Sequence, residues 1–231
     1  MRRFPRHGSR FGNPANAAMA AVTVFALCSG AWLLRNGAET HAPPQPSAAQ
    51  ARAGQDGQDG QDGRAGQNGR IGERHDVPAL PPSPPDRIRI PAIRVDAPLT
   101  GLGLTRTGSL DVPPAERKNL AGWYEAGTTP GERGTAIVAG HVDNADGPAV
   151  FYRLGSLTKG GTIEVDRRDG SVAVFTVDAI EVYAAKDFPD EKVYGAAPRP
   201  ELRVITCGGG YSRGTGYQGN VVVFAHLTGS R

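Results

Sequence analysis

Cysteine is almost absent from this chain of 231 residues: Cys28 and Cys207 are the only two. A disulfide-stapled scaffold and a cysteine-rich zinc module are therefore excluded. A surplus of one charge sign is also lacking. The 26 basic and 23 acidic side chains leave a formal charge of +3, and Arg2, Arg3, Arg6 and Arg10 supply much of that from the N-terminal tail. With no basic face on the rest of the chain, a nucleic-acid partner is not expected. Long helical periodicity is missing too, apart from a possible short turn in residues 150–157, which excludes a doubly wound α/β sheet. No carboxylate cluster has calcium-loop spacing, so neither a metal nor a cofactor is expected.

Long apolar runs number one. Residues 17–34 are uncharged and mostly apolar, and arginines precede them. At about 1.5 Å per helical residue the run spans ~27 Å, just enough for a bilayer core. The arginines predict a cytoplasmic N-terminus with everything after Arg35 outside. Residues 1–35 thus read as a basic tail and signal anchor, with a cleaved signal peptide as the competing reading. Cys28 lies within this run as a small apolar residue.

Glycine (32) and proline (19) are plentiful overall, but the excess is local. Residues 40–85 hold 7 Gly and 8 Pro, and from Gly54 to Gly72 glycine recurs at every third position. That is the collagen period, yet this block carries no proline and is too short to pre-organise three chains. Residues 36–85 are expected to be a disordered, hydrophilic linker, with a reach of ~40 Å by square-root scaling.

Residues 86–231 carry the folded domain, and its patterning has period two. Ile88 and Ile90 alternate with Arg87 and Arg89, then Ile93 and Val95 with Arg94 and Asp96. Further strand-like runs occupy 135–139, 162–165, 172–182, 202–206 and 220–227, bounded by Gly, Pro and Asp turns. The expected fold is all-β: a closed barrel of about eight strands with one or two short helices.

Cys207, outside the apolar run, has no internal disulfide partner. It follows the β-rich Leu202–Thr206 run and precedes Gly208, Gly209 and Gly210, so the reading is an accessible thiol where a strand ends in a glycine loop. A nucleophilic thiol needs a partner. His141, at the end of the apolar strand in TAIVAGHVD, is the candidate; His226, inside the last strand, reads as structural. Asp143 and Asn144 either orient His141 or form the turn that Asn-Ala-Asp-Gly suggests.

The segments IVAGHVDNADGPAVFYRLGSLTKGGTIEV, ITC with its glycine turn, and TGYQGNVVVFAHL together resemble the sortase family of cysteine transpeptidases. CGGGYS and GHVD resemble its actinobacterial class F, and RIRIPAIRVDAPL resembles the entry strand of the sortase barrel. The resemblance implies attack by Cys207 on the Thr-Gly bond of an LPXTG-like sorting signal, with His141 as acid for the leaving amine. The resulting thioester is resolved by an amine of a peptidoglycan precursor. It further implies a monomeric catalytic domain held outside the cell membrane. The family's oxyanion arginine is expected near Asn220, where this chain has none; Arg213 takes the role, with Arg203 second. Thr206 and Asp143 are the expected substrate contacts. An L,D-transpeptidase would place an arginine directly after its cysteine, and a papain-like protease would place cysteine before histidine; neither pattern occurs here. The alternative from another class is a non-catalytic surface protein with a collagen-like stalk, in which Cys207 is dispensable.

Overall fold

The computed structural model describes residues 42–47, 77–212, 214 and 216–231. The calls on the basic tail, the apolar run and the glycine triplets lie outside them. Among the described residues no helix is long and apolar enough to cross a membrane.

Period-two patterning becomes strand wherever it is strong. The strands are β1 (Pro85–Ile90), β2 (Val95–Leu102), β3 (Ala121–Tyr124), β4 (Gly134–Gly140), β5 (Asp143–Asn144), β6 (Gly147–Pro148), β7 (Thr162–Arg167), β8 (Val172–Ala184), β9 (Pro200–Ser212) and β10 (Gly216–Ser230). Eight of them close a barrel in the order β1-β2-β3-β4-β9-β10-β8-β7, and β5 and β6 form a separate small hairpin. Most pairings are antiparallel, but β2–β3 and β4–β9 run parallel. A parallel neighbour cannot be reached by a tight turn. The chain accordingly makes long crossovers there, residues 103–120 before β3 and residues 141–199 before β9, and these crossovers build the walls of the site described below.

Ile88, Ile90, Val138, Phe151, Leu154, Ile163, Phe175, Leu202 and Val204 fill the barrel. A second, smaller cluster lies outside it, where Ile137, Ile205, Val222 and Phe224 are covered by Val193 from the one-turn helix α1 (Asp190–Tyr194). Both faces of β4 and of β9 from Leu202 to Thr206 are therefore buried, which explains the apolar run of β4.

Residues 77–84 have no regular structure but are fastened along the barrel. Leu80 N–H donates to Gly131 O at 2.9 Å, and Ser83 N–H donates to Thr129 Oγ1 at 3.1 Å. The Arg167 side chain is fully buried beside them; its guanidinium donates to the carbonyls of Pro130, at 2.6 Å, and of Pro81, and pairs with Asp169 at 3.1 Å. Arg167→Met keeps the volume but strands two carbonyls. It is expected to cost about 2–4 kcal/mol, read as a lower urea midpoint at unchanged m.

Candidate active site

The parallel ladder between β4 and β9 sets the geometry. Its last registered pair is Ala139 opposite Ile205. Even positions of both strands, Ala136, Val138, Leu202 and Val204, point into the barrel core, so odd positions face outward. Two residues beyond that pair on each strand stand His141 and Cys207. Both have outward parity, and adjacent strands run about 4.8 Å apart, so the register brings the two residues to neighbouring positions along the ladder. The Thr206 hydroxyl donates to the Gly140 carbonyl at 2.8 Å, pinning the residue before the cysteine to the residue before the histidine. Thr206 is buried at 4% exposure; its hydroxyl aligns the two strands.

Cys207 is not at a strand end. β9 continues through the glycines to Ser212 and pairs with β10, Gly208 opposite Gly219 and Tyr211 opposite Tyr217. The register slips between Tyr217 and Gly219, where Gly209 has φ +75°. Glycine admits that left-handed backbone without penalty, as a bulge requires. A triple glycine reads as a turn in sequence; here a facing strand pairs it and the bulge uses its freedom. Cys207 remains exposed.

The Cys207 thiol titrates above the usual thiol range. Burial by the surrounding protein is the main cause and the Asp143 charge the second, partly offset by a backbone hydrogen bond. The residue is open to solvent on one side while protein crowds the sulfur on the other. At neutral pH it is therefore a protonated thiol. A negative charge beside the sulfur opposes the thiolate, so Asp143→Asn is expected to lower the pH midpoint of iodoacetamide alkylation. Burial should still hold that midpoint above the ~8.5 of free cysteine.

The neighbours of His141 come from the first crossover. Its Nε2–H donates to the Pro113 carbonyl at 2.6 Å, which leaves Nδ1 free to accept a proton in the neutral ring. Asn144 Nδ2 donates to the Ala115 carbonyl at 2.7 Å, and its Oδ1 accepts from Asp146 N–H at 2.9 Å. Asn144 is thus a turn former in the β5–β6 hairpin. The Asp143 carboxylate accepts the Tyr217 hydroxyl proton, joining the histidine loop to the nucleophile hairpin; burial and that carboxylate raise the Tyr217 pKa. Neither Pro113 nor Tyr217 was signalled by any spacing in the sequence, because both reach the site through long-range pairing.

A groove of about 930 Å³ runs along the outward face. Its floor is Thr135, Ile137, Ala139 and Ile205, and Asn220 lies at its edge. Leu104, Leu110 and Val112 from the first crossover form one wall, and Tyr194, Ala196 and Ala197 form the other. Asn220 is the cross-strand partner of Cys207, so an amide occupies the place where the sequence comparison expected an arginine. Arg213 lies outside the described residues. Arg203 is four positions before Cys207, about 13 Å along the strand. It is 6% exposed, bonded to Glu201 at 2.8 Å and stacked 4.6 Å from the Phe224 ring centroid. It belongs to the covered outer cluster. His226 is paired with Asp178 at 2.8 Å, opposite Glu201 near the far end of β9.

The family model described as the Sortase domain matches residues 88–228. Among solved structures, the SrtA sortase from Actinomyces oris is similar at 19% identity and TM-score 0.50, over 68% of this chain and 89% of that one. The sortase A of Listeria monocytogenes is similar at 15% identity and TM-score 0.48, over 64% and 90%. Sortase C1 of Streptococcus agalactiae is similar at 20% identity and TM-score 0.49, over 63% and 70%. No curated protein matches the chain.

Proposed function

Because the chain belongs to the sortase family, whose members are in general cysteine transpeptidases, we propose that it joins proteins bearing LPXTG-like sorting signals to an amine of a cell-wall precursor. The observation that supports this reading is the β4–β9 register, which puts His141 and Cys207 two residues beyond Ala139 and Ile205, both of which line the groove.

The signal peptide lies along Ile137, Ala139 and Ile205 with its Thr carbonyl at Cys207. As Sγ bonds to that carbon, the thiol proton passes to His141. When the C–N bond breaks, His141 returns the proton to the leaving amine, so neither substrate nor enzyme changes net charge. A thioester remains, and the acceptor amine attacks it with the same histidine as base. Splitting one acyl transfer into two steps in this way is what a covalent nucleophile contributes. The raised thiol pKa suits a pair that starts neutral. Thr206 holds the two strand ends in line, Asp143 borders the thiol, and Arg213, six residues after Cys207 in the chain, meets the oxyanion. Residues 17–34 anchor the chain in the membrane, and the linker carries the domain into the wall outside it.

The test is mass spectrometry of LPXTG-like peptides incubated with the enzyme and hydroxylamine. A hydroxamate at the Thr carbonyl establishes acyl transfer; its absence for every peptide, with Cys207 readily alkylated, rejects this substrate class. Arg213→Ala should slow hydroxamate formation on the order of 100-fold, the usual cost of one oxyanion donor. A near-normal rate would move that role to the Asn220 amide or to backbone N–H groups.

A further inference from the structure

Residues 43–47 precede β1 by a long stretch of sequence, yet they belong to the same compact unit as the barrel and lie beside the nucleophile. Pro43 is buried. Gln45 turns back on itself, its Nε2 donating to Pro43 O at 3.1 Å, and its Oε1 accepts from Gly209 N–H at 3.2 Å. Gly209 is two residues past Cys207. On the other side the segment crosses Gly155, in the single 3-10 turn Leu154–Ser156. A Cβ placed on Gly155 would stand 2.1 Å from Pro44 O and 3.1 Å from Gln45 Cα. The backbone reaches this turn directly from His141, whose carbonyl accepts from Phe151 N–H at 3.0 Å. One short proline-rich segment therefore bridges the chain following the cysteine and the chain following the histidine.

None of Gly155, Gly208 or Gly209 lines the groove along Ile137 and Ile205, and Cys207 stays exposed with the segment in place. The groove borders β9 before Cys207, and the segment touches β9 after it. An acceptor amine must reach the thioester from a side the acyl peptide leaves free. We infer that the surface at Gly155, Gly208 and Gly209 binds an extended peptide strand on the acceptor side, and that the chain's own residues 43–47 occupy it in competition with a peptide acceptor. Three prolines pre-set the extended backbone, so docking costs little conformational entropy, and tethering supplies a high effective concentration. The effect on transfer rests on the sortase reading; the surface itself does not.

The experiment uses the full chain in three forms: parent, Gly155→Ala, and a deletion of residues 43–47. Gly155 does not have a left-handed backbone, so alanine acts there by evicting Pro44. Transfer from one sorting peptide is measured to hydroxylamine and to triglycine. A segment docked about 90% of the time raises the apparent KM of a competing acceptor about tenfold. Both variants should therefore lower the triglycine KM about tenfold and leave the hydroxylamine rate and the sorting-peptide KM unchanged. Free APPQPS peptide should restore the parent value in the deletion protein. Equal triglycine KM in all three forms overturns the inference, as does an equal gain with hydroxylamine. If no form gives hydroxamate, the sortase reading fails, and the surface is then decided by amide NMR of the deletion protein titrated with APPQPS. Shifts confined to Gly155, Gly208 and Gly209 uphold it; no shifts overturn it.

Discussion

Cys207→Ala protein is expected to form no hydroxamate from any sorting peptide, at any pH or enzyme concentration. The reaction has no route around the sulfur. A methyl group cannot attack a carbonyl, and direct attack by hydroxylamine on an unactivated amide is many orders of magnitude too slow to register. Because Cys207 is exposed and its strand is held by pairing on both sides, the substitution should leave the melting temperature within a degree or two. Turnover that persists in a folded Cys207→Ala protein would remove the thioester from the mechanism altogether.

His141→Ala should lower turnover by on the order of 10²–10⁴-fold, the range for losing one positioned acid-base group. The thiol enters the proposed reaction protonated, its pKa raised by burial and by Asp143, so the step needs a base, the role the mechanism gives to the imidazole. The informative comparison is alkylation. Iodoacetamide reacts with whatever thiolate the pH supplies, so His141→Ala should keep a similar alkylation rate at pH 10 while peptide cleavage remains lost. Substitution of His226, tied to Asp178 at 2.8 Å, should leave peptide cleavage unaffected in any folded protein.

Local pattern carried most of the barrel. Ile88 and Ile90 alternate with arginines because β1 has one buried face, and the runs at 135–139, 162–165 and 202–206 lie inside β4, β7 and β9. What pattern could not show was length and pairing. Val172–Ala184 and Gly216–Ser230 extend past their apolar stretches because neighbouring strands complete their hydrogen bonds. β3 is four residues long and contains Gly122, too little for an alternation signal. Gly208–Gly210 reads as a loop because glycine has no side chain with which to declare a face. At the site, residue type and order point to His141 and Cys207 as the candidates. Their partners were beyond reach: Pro113 contributes a backbone carbonyl, which every residue has, and Tyr217 meets Asp143 only across the assembled fold. Gln45 is the extreme instance, a polar residue in a composition that reads as spacer, brought to Gly209 by packing alone.

The parallel β4–β9 ladder also bears on how the protein matures. Its two strands come from distant parts of the chain, and contacts of that separation form late and slowly in folding because the intervening loop must first be closed. Until β9 zips against β4, Cys207 is an ordinary thiol with no histidine beside it. On the proposed mechanism, acyl transfer therefore has to wait for that pairing, while simple alkylation of the thiol does not. A refolding time course should accordingly show turnover rising with the slowest phase of tryptophan fluorescence, since Trp123 sits in β3, hydrogen-bonded to β4 across the same seam.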